Sequence, residues 1–284
     1  MLTHVDRVQL VVANRSATAA AFAKLLGTEL SREDRVRSLA AHRSVLRLGC
    51  SEIELLQPDG AGPAADFLAG TKGGLFAPGF ATADVAALRT HLSGRGVVAT
   101  EEGGQLLVPL GSVGLPGHVV VSAAVERQRV GLISTLYEAT LLVSDFASTV
   151  RAVAALFALE PTAFVPIRSP EFGYEGTLTL FHPERLHRME IITPNDAAKT
   201  MGRFFARRGA SWYMCFAEAD DLLPIRARLL ENAPLHWTGP HGSTVDSLFI
   251  HPAALGGMMM GVSRATFAWT WSGHPARVQP GANA

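Results

Sequence analysis

The chain has 284 residues, with 25 Lys and Arg balanced by 25 Asp and Glu. At 48% hydrophobic and 18% charged residues it can bury a core without help from metal or disulfides. The even charge excludes a dedicated nucleic-acid binder, and at about 100–200 residues per domain the length predicts two domains.

The only cysteines, Cys50 and Cys215, form no CxxC pair and no Cys/His ladder. A structural zinc site is therefore excluded and no disulfide framework is expected, which suits a reducing cytoplasm. Residues 1–16 carry charges inside their apolar run, and no run of about 18 apolar residues occurs. The expectation is a cytoplasmic protein with no membrane partner.

In chain order, an alternating strand (7–13) passes through a polar turn into an Ala-rich helix, with Ser16 as the expected N-cap. SEIELLQP (51–58), FATADVAALRTHL (80–92) and GHVVVSA (117–123) supply further strand and helix signals. The same landmarks then recur in order. EATLLVSDFASTVRAVAALFA (138–158) repeats the first strand and helix, with Asp145 as N-cap, and RMEIITP (188–194) repeats the strand end. FAEADDLLPIRARL (216–229) and GMMMGVS (257–263) complete the set. An ordered repeat of this kind predicts a duplication. We read an α+β chain of four βαβββ units in two domains, 1–126 and 135–266, with residues 273–284 as a loose tail.

The strand-turn-helix VQLVVANRSATAAAFAKLLG, the IELLQP strand end, the AEADDLLPIRARL segment and the FIHPAALGG turn resemble the vicinal oxygen chelate superfamily. That group includes glyoxalase I, methylmalonyl-CoA epimerase, extradiol dioxygenases and bleomycin-resistance proteins. The resemblance implies two glyoxalase-like domains, each a cup-shaped mixed sheet around one site. It also implies four metal-ligand positions per cup. They fall on Arg7, Glu54, Ala77 and Val121 in the first cup, and on Glu138, Glu190, Met214 and Gly261 in the second.

These residues are a poor donor set for a transition metal, which needs three or four converging N/O ligands. The expectation is no metal and no cofactor; a divalent ion held by Glu138 and Glu190 is the lesser alternative. In the first cup, Arg7 facing Glu54 reads as an ion pair closing a dead site. In the second, Glu138 and Glu190 read as an uncompensated carboxylate pair suited to proton transfer; the alternative is that one or both pair with Arg168, Arg185 or Arg188, or point at solvent. On the first of these readings Glu138→Gln leaves the fold neutral or stabilises it.

Strand alternation puts Trp212, Met214, Phe216, Met259 and Gly261 in the second cup, with a small floor at Gly261, and His241 on a loop able to close it. The functional expectation is a metal-independent isomerase, epimerase or lyase acting on a small, largely apolar or aromatic metabolite. The alternatives are a drug-binding or resistance protein without catalysis, and a metal-dependent dioxygenase. A small-molecule ligand is the expected partner, and a homodimer is left open.

Overall fold

The computed structural model describes residues 1–242 and 244–280. Two eight-stranded mixed sheets of identical topology make up the molecule. The first sheet contains β1 (Leu2–Val11), β2 (Glu29–Val36), β3 (Ala41–Leu48), β4 (Ser51–Pro58), β5 (Gly74–Thr82), β6 (Thr100–Glu102), β7 (Gln105–Pro109) and β8 (His118–Ala123). Their spatial order is β2-β3-β4-β1-β5-β8-β7-β6.

The second sheet contains β9 (Thr135–Leu142), β10 (Phe164–Ser169), β11 (Tyr174–Leu180), β12 (Arg188–Pro194), β13 (Ser211–Ala219), β14 (Trp237–Thr238), β15 (Ser247–Ile250) and β16 (Met259–Arg264). Its order, β10-β11-β12-β9-β13-β16-β15-β14, repeats the first position by position. Each sheet is thus a pair of βαβββ units joined back to back, as the sequence repeat predicts.

The crossover helices are α1 (Arg15–Leu26) and α3 (Val85–Gly94) in the first domain, and α4 (Phe146–Phe157) and α6 (Leu223–Asn232) in the second. Asp145 caps α4 by accepting from the Ser148 amide. For α1 the cap is Asn14, which accepts from Ala17, and not Ser16. Asn and Ser serve equally at this position, and the turn geometry decides between them. Two further helices, α2 (Pro63–Thr71) and α5 (Thr200–Arg208), leave the ends of β4 and β12 and pack onto the concave faces.

One apolar core runs through both domains on the convex, helix-covered side. The domains meet along β1 and β9, where the His4 and His187 rings lie 5.6 Å apart and the Val5 amide donates to His187 Nδ1. Phe80 packs edge-on against Phe181 at 5.5 Å. The connecting segment is pinned by Arg127 on Asp6 and Arg129 on Asp220.

The segment before the expected tail is docked, and of residues 273–280 most are exposed with a few contacts to the second domain. A short helical segment, Phe267–Trp271, places Trp269 beside Tyr137 at the base of the second cup, and Val278 joins the same cluster. Arg277 lies over the Trp269 ring and donates to the Pro183 carbonyl at 2.7 Å. Residues 281–284 lie outside the described residues.

Candidate active site

The two concave faces can be compared pair by pair, because the sheets share one register. In the first, Arg7 on β1 lies opposite Glu52 on β4 and Gly79 on β5, and Gly79 lies opposite Val120 on β8. In the second, Glu138 on β9 lies opposite Arg188 on β12 and Phe216 on β13, and Phe216 lies opposite Gly261 on β16. Arg and Glu have exchanged strands between the copies. One step along, Gln9 pairs with Glu54, and Thr140 with Glu190.

The first cup is filled with its own polar side chains. Arg7 Nη1 donates to Glu54 at 2.7 Å, Gln9 Nε2 donates to the other Glu54 oxygen at 2.9 Å, and Arg43 Nη1 reaches that oxygen at 3.2 Å. Gln105 adds a further hydrogen bond to Glu54, and His118 bonds Gln9 at 3.1 Å. Burial alone would raise the Glu54 carboxyl, but the two guanidinium charges overcome it and hold Glu54 below its ordinary value. Burial holds His118 down at about 4, so it is neutral at pH 7. Both Glu54 oxygens are thus taken up by the chain's own donors.

The second cup keeps the carboxylates and loses this filling. At the register position of Arg43 stands Gly176, at that of Gln105 stands Ser247, and at that of His118 stands Met259. Glu138 takes one cation, since Arg188 Nε donates to it at 2.6 Å with both side chains buried. Glu190 takes none. Its neighbours are Thr140, whose hydroxyl donates at 2.7 Å, and the Glu138 carboxylate. Burial, and next the Glu138 charge, push Glu190 up to about 8 against the opposing pull of Thr140 and Arg188. Near neutrality it carries a proton.

Around this dyad runs an aromatic wall of half-buried residues. Phe204 of α5 packs edge-on against Tyr213 at 4.7 Å, and Phe216 lies 5.7 Å from Phe249 and 6.3 Å from Trp271. Tyr174 stands beside Glu190, and burial, followed by that carboxyl, raises its phenol so that it stays an O–H donor. Helix α5 covers this end with Met201, Phe204 and Phe205.

Several expected positions move. Glu138, Glu190, Phe216, Met259 and Gly261 lie on the concave face, whereas Trp212 belongs to the main core, because a bulge between Trp212 and Met214 interrupts the alternation. Met214 pairs with Thr140, so Phe216, not Met214, stands directly across from Glu138. Val121 likewise backs onto the main core, leaving Val120 and Ser122 to face inward. His241 is exposed and stacks 5.2 Å from Trp237, a main-core residue, so it does not close the cup.

Gly261 offers no open floor either. An added Cβ would fall 2.1 Å from Phe216, whose ring already occupies that space. Gly261→Ala should therefore cost about 1–3 kcal/mol through displacement of that ring. A melt unchanged to within experimental error would contradict the packing.

Of the three arginines that the sequence offers as partners, at 168, 185 and 188, Arg188 is the one that pairs with Glu138. It lies two positions before Glu190 on the same face of β12, where alternation marks it inward. The sequence signal is an arginine two residues before a glutamate, both at inward positions of the same strand.

The superfamily implies a divalent metal, and the residues do not fit one. In the first cup Arg7 and Arg43 occupy the space around Glu54. In the second, Arg188 already supplies the positive charge at Glu138, and the remaining row is Phe216 and Gly261, which donate nothing. Among the described residues no group of three His, Cys, Asp or Glu side chains converges.

Residues 6–106 match the model of the Glyoxalase/Bleomycin resistance protein/Dioxygenase superfamily. A mutant 4-hydroxymandelate synthase from Streptomyces coelicolor superposes with a TM-score of 0.69 at 13% identity, covering 93% of each chain. Methylmalonyl-CoA epimerase from Mycobacterium tuberculosis matches at 17% identity over 47% of this chain and 89% of its own, with a TM-score of 0.38. The Streptomyces coelicolor epimerase, in complex with 2-nitronate-propionyl-CoA, matches at 20% identity over 44% of this chain and 100% of its own, with a TM-score of 0.37. A comparison with curated protein sequences finds no match. Among the described residues no helix is long and apolar enough to cross a membrane.

Proposed function

We propose, for a chain with the duplicated fold of the glyoxalase, bleomycin-resistance and dioxygenase superfamily, an acid–base enzyme whose site is the second cup. The reaction is proton abstraction at a carbon beside a carbonyl, with no metal in the step. The proton returns to carbon in an isomerase or epimerase, or a group is expelled from the neighbouring carbon in a lyase. One observation carries this reading: Glu138 and Glu190 sit together in a buried layer that holds a single cation, Arg188. Two carboxyl groups with one counter-charge share a proton. Such a group, poised near neutrality, is suited to general acid–base work.

In the step itself, ionised Glu190 takes the proton from carbon and the C–H electron pair moves toward the carbonyl oxygen. In an isomerase or epimerase the proton then returns to carbon, so no other reactant is consumed. The aromatic wall of Tyr174, Phe204, Tyr213 and Phe216 suits an apolar or aromatic substrate body. Because Glu190 is only 4% exposed beneath α5, substrate entry requires that helix to move.

Deuterium uptake from heavy water into aryl ketones and esters, followed by NMR, tests the reading. Uptake should rise with pH and level off above about 8, where Glu190 is ionised. Glu190→Gln should slow it by at least about 100-fold. Uptake unaffected by that substitution would remove Glu190 from the chemistry. Tight binding of such compounds with no exchange at any pH would favour the second reading, a sequestration protein, for which the wall of half-buried aromatics also speaks.

A further inference from the structure

The Arg188 guanidinium is wholly buried, yet only part of it is used. Nε is bonded to Glu138 at 2.6 Å and Nη1 to the Leu186 carbonyl at 3.2 Å, while the Tyr137 ring lies 5.1 Å beneath the group. Nη2 has no partner among the described residues and no exposure to solvent. An orphaned N–H on a buried cation forfeits a charge-assisted hydrogen bond and calls for an explanation. Arg7, the equivalent arginine of the first cup, shows no such vacancy, because it is engaged by Asp6, Glu52 and Glu54 together.

There is room beside this group. A cavity of about 380 Å³ is lined by Tyr137, Glu184, Arg185, Leu186, His187 and Glu218, among others. Arg188 does not line it itself but touches two residues that do. Tyr137 stacks on Arg188, Leu186 accepts from it, and His187 precedes it in the chain. Arg188 already has Glu138 as its carboxylate partner, so the layer offers no unmatched positive charge to a full anion. The vacant donor suits a neutral acceptor oxygen that gains negative charge only as reaction proceeds.

We infer that Arg188 Nη2 is the donor reserved for the carbonyl oxygen of a neutral ligand, so that the second cup takes ketones, esters or amides in preference to carboxylates. The inference rests on the second cup being the working site, but it does not depend on proton transfer occurring there. In the step proposed above, Arg188 would hold the oxygen toward which the C–H electron pair moves.

The test uses acetophenone, benzoate and ethylbenzene, which share a ring and differ in the group attached. NMR titration of the full chain should show acetophenone binding about tenfold or more tightly than either of the others. The carbon-13 resonance of its bound carbonyl should move downfield. Arg188→Met alone strands Glu138, so the informative variant is Arg188→Met with Glu138→Gln, which removes both charges together. It should fold, bind all three probes about equally and show no carbonyl shift.

Failure of the wild type to prefer acetophenone overturns the inference, as does a carbonyl shift that survives in the double variant. The two readings separate cleanly. A carbonyl shift kept in Glu190→Gln, with no deuterium exchange even in the wild type, retains Arg188 as the oxygen donor and discards the proton chemistry. Exchange that persists in the double variant does the reverse.

Discussion

Arg7→Met should lower the stability of the folded chain by about 3–5 kcal/mol, seen as an earlier urea midpoint with an unchanged slope. Arg7 is 4% exposed and bonds Asp6, Glu52 and Glu54, so its removal leaves three buried acids with fewer cations than charges. Arg43 remains on Glu54 and Arg127 on Asp6, which keeps the loss within that range. The size of the effect should also depend on pH. Burial pushes Asp6 up, but the His4 hydrogen bond and the Arg7 and Arg127 charges outweigh it; both Asp6 and Glu54 are held below their ordinary values. Groups lowered in this way stabilise the fold above their unfolded pKa values, and that contribution disappears as pH falls through the folded ones. The difference between wild type and Arg7→Met should therefore shrink in acid. A difference below about 1 kcal/mol at pH 7 would show that the first-cup network is not held together through Arg7.

The duplication and the cup architecture were legible in the sequence, because strand alternation, helix periodicity and their order survive divergence of individual side chains. The inward positions Glu54, Glu138 and Glu190 were legible for the same reason: period 2 fixes the face once the strand is placed. What escaped is what alternation cannot encode. The bulge between Trp212 and Met214 turns Trp212 to the convex side, and no residue type in YMCF announces it. The partner of Glu138 was legible only as a choice among three residues. Three arginines, at 168, 185 and 188, stood near enough in sequence to serve, and only the parallel register of β9 against β12 selects Arg188. The absence of a cation at Glu190 is subtler still, since it follows from Gly176 occupying the position that Arg43 holds in the other copy. There the Ile191 carbonyl would lie 2.2 Å from an added Cβ, so no side chain can take that place. One glycine thus leaves Glu190 to be neutralised by a proton.

That arrangement corrects the expectation that Glu138→Gln would be neutral or stabilising, and it predicts that the two glutamates will not behave additively. Glu190 is raised to about 8 in the fold, above its unfolded value. Its contribution is therefore favourable at low pH and is lost as pH rises from the unfolded value toward about 8. Glu190→Gln removes that penalty and should stabilise the chain by about 1–3 kcal/mol at pH 7, and by more at pH 9. Glu138→Gln does the opposite, since it takes from Arg188 its only carboxylate partner. The loss should be partial, about 1–3 kcal/mol, because Glu190 is then free to release its proton and become the counter-ion. With both carboxylates gone, Arg188 is a wholly buried cation with no counter-charge, and the double variant should lose about 3–5 kcal/mol. Glu190→Gln would thus be stabilising in the wild type and destabilising beside Glu138→Gln. Thermal or urea melts of the four proteins at pH 5, 7 and 9 decide it. If the two substitutions simply add, the carboxyl groups do not share a proton, and the acid–base reading of the second cup loses its physical basis.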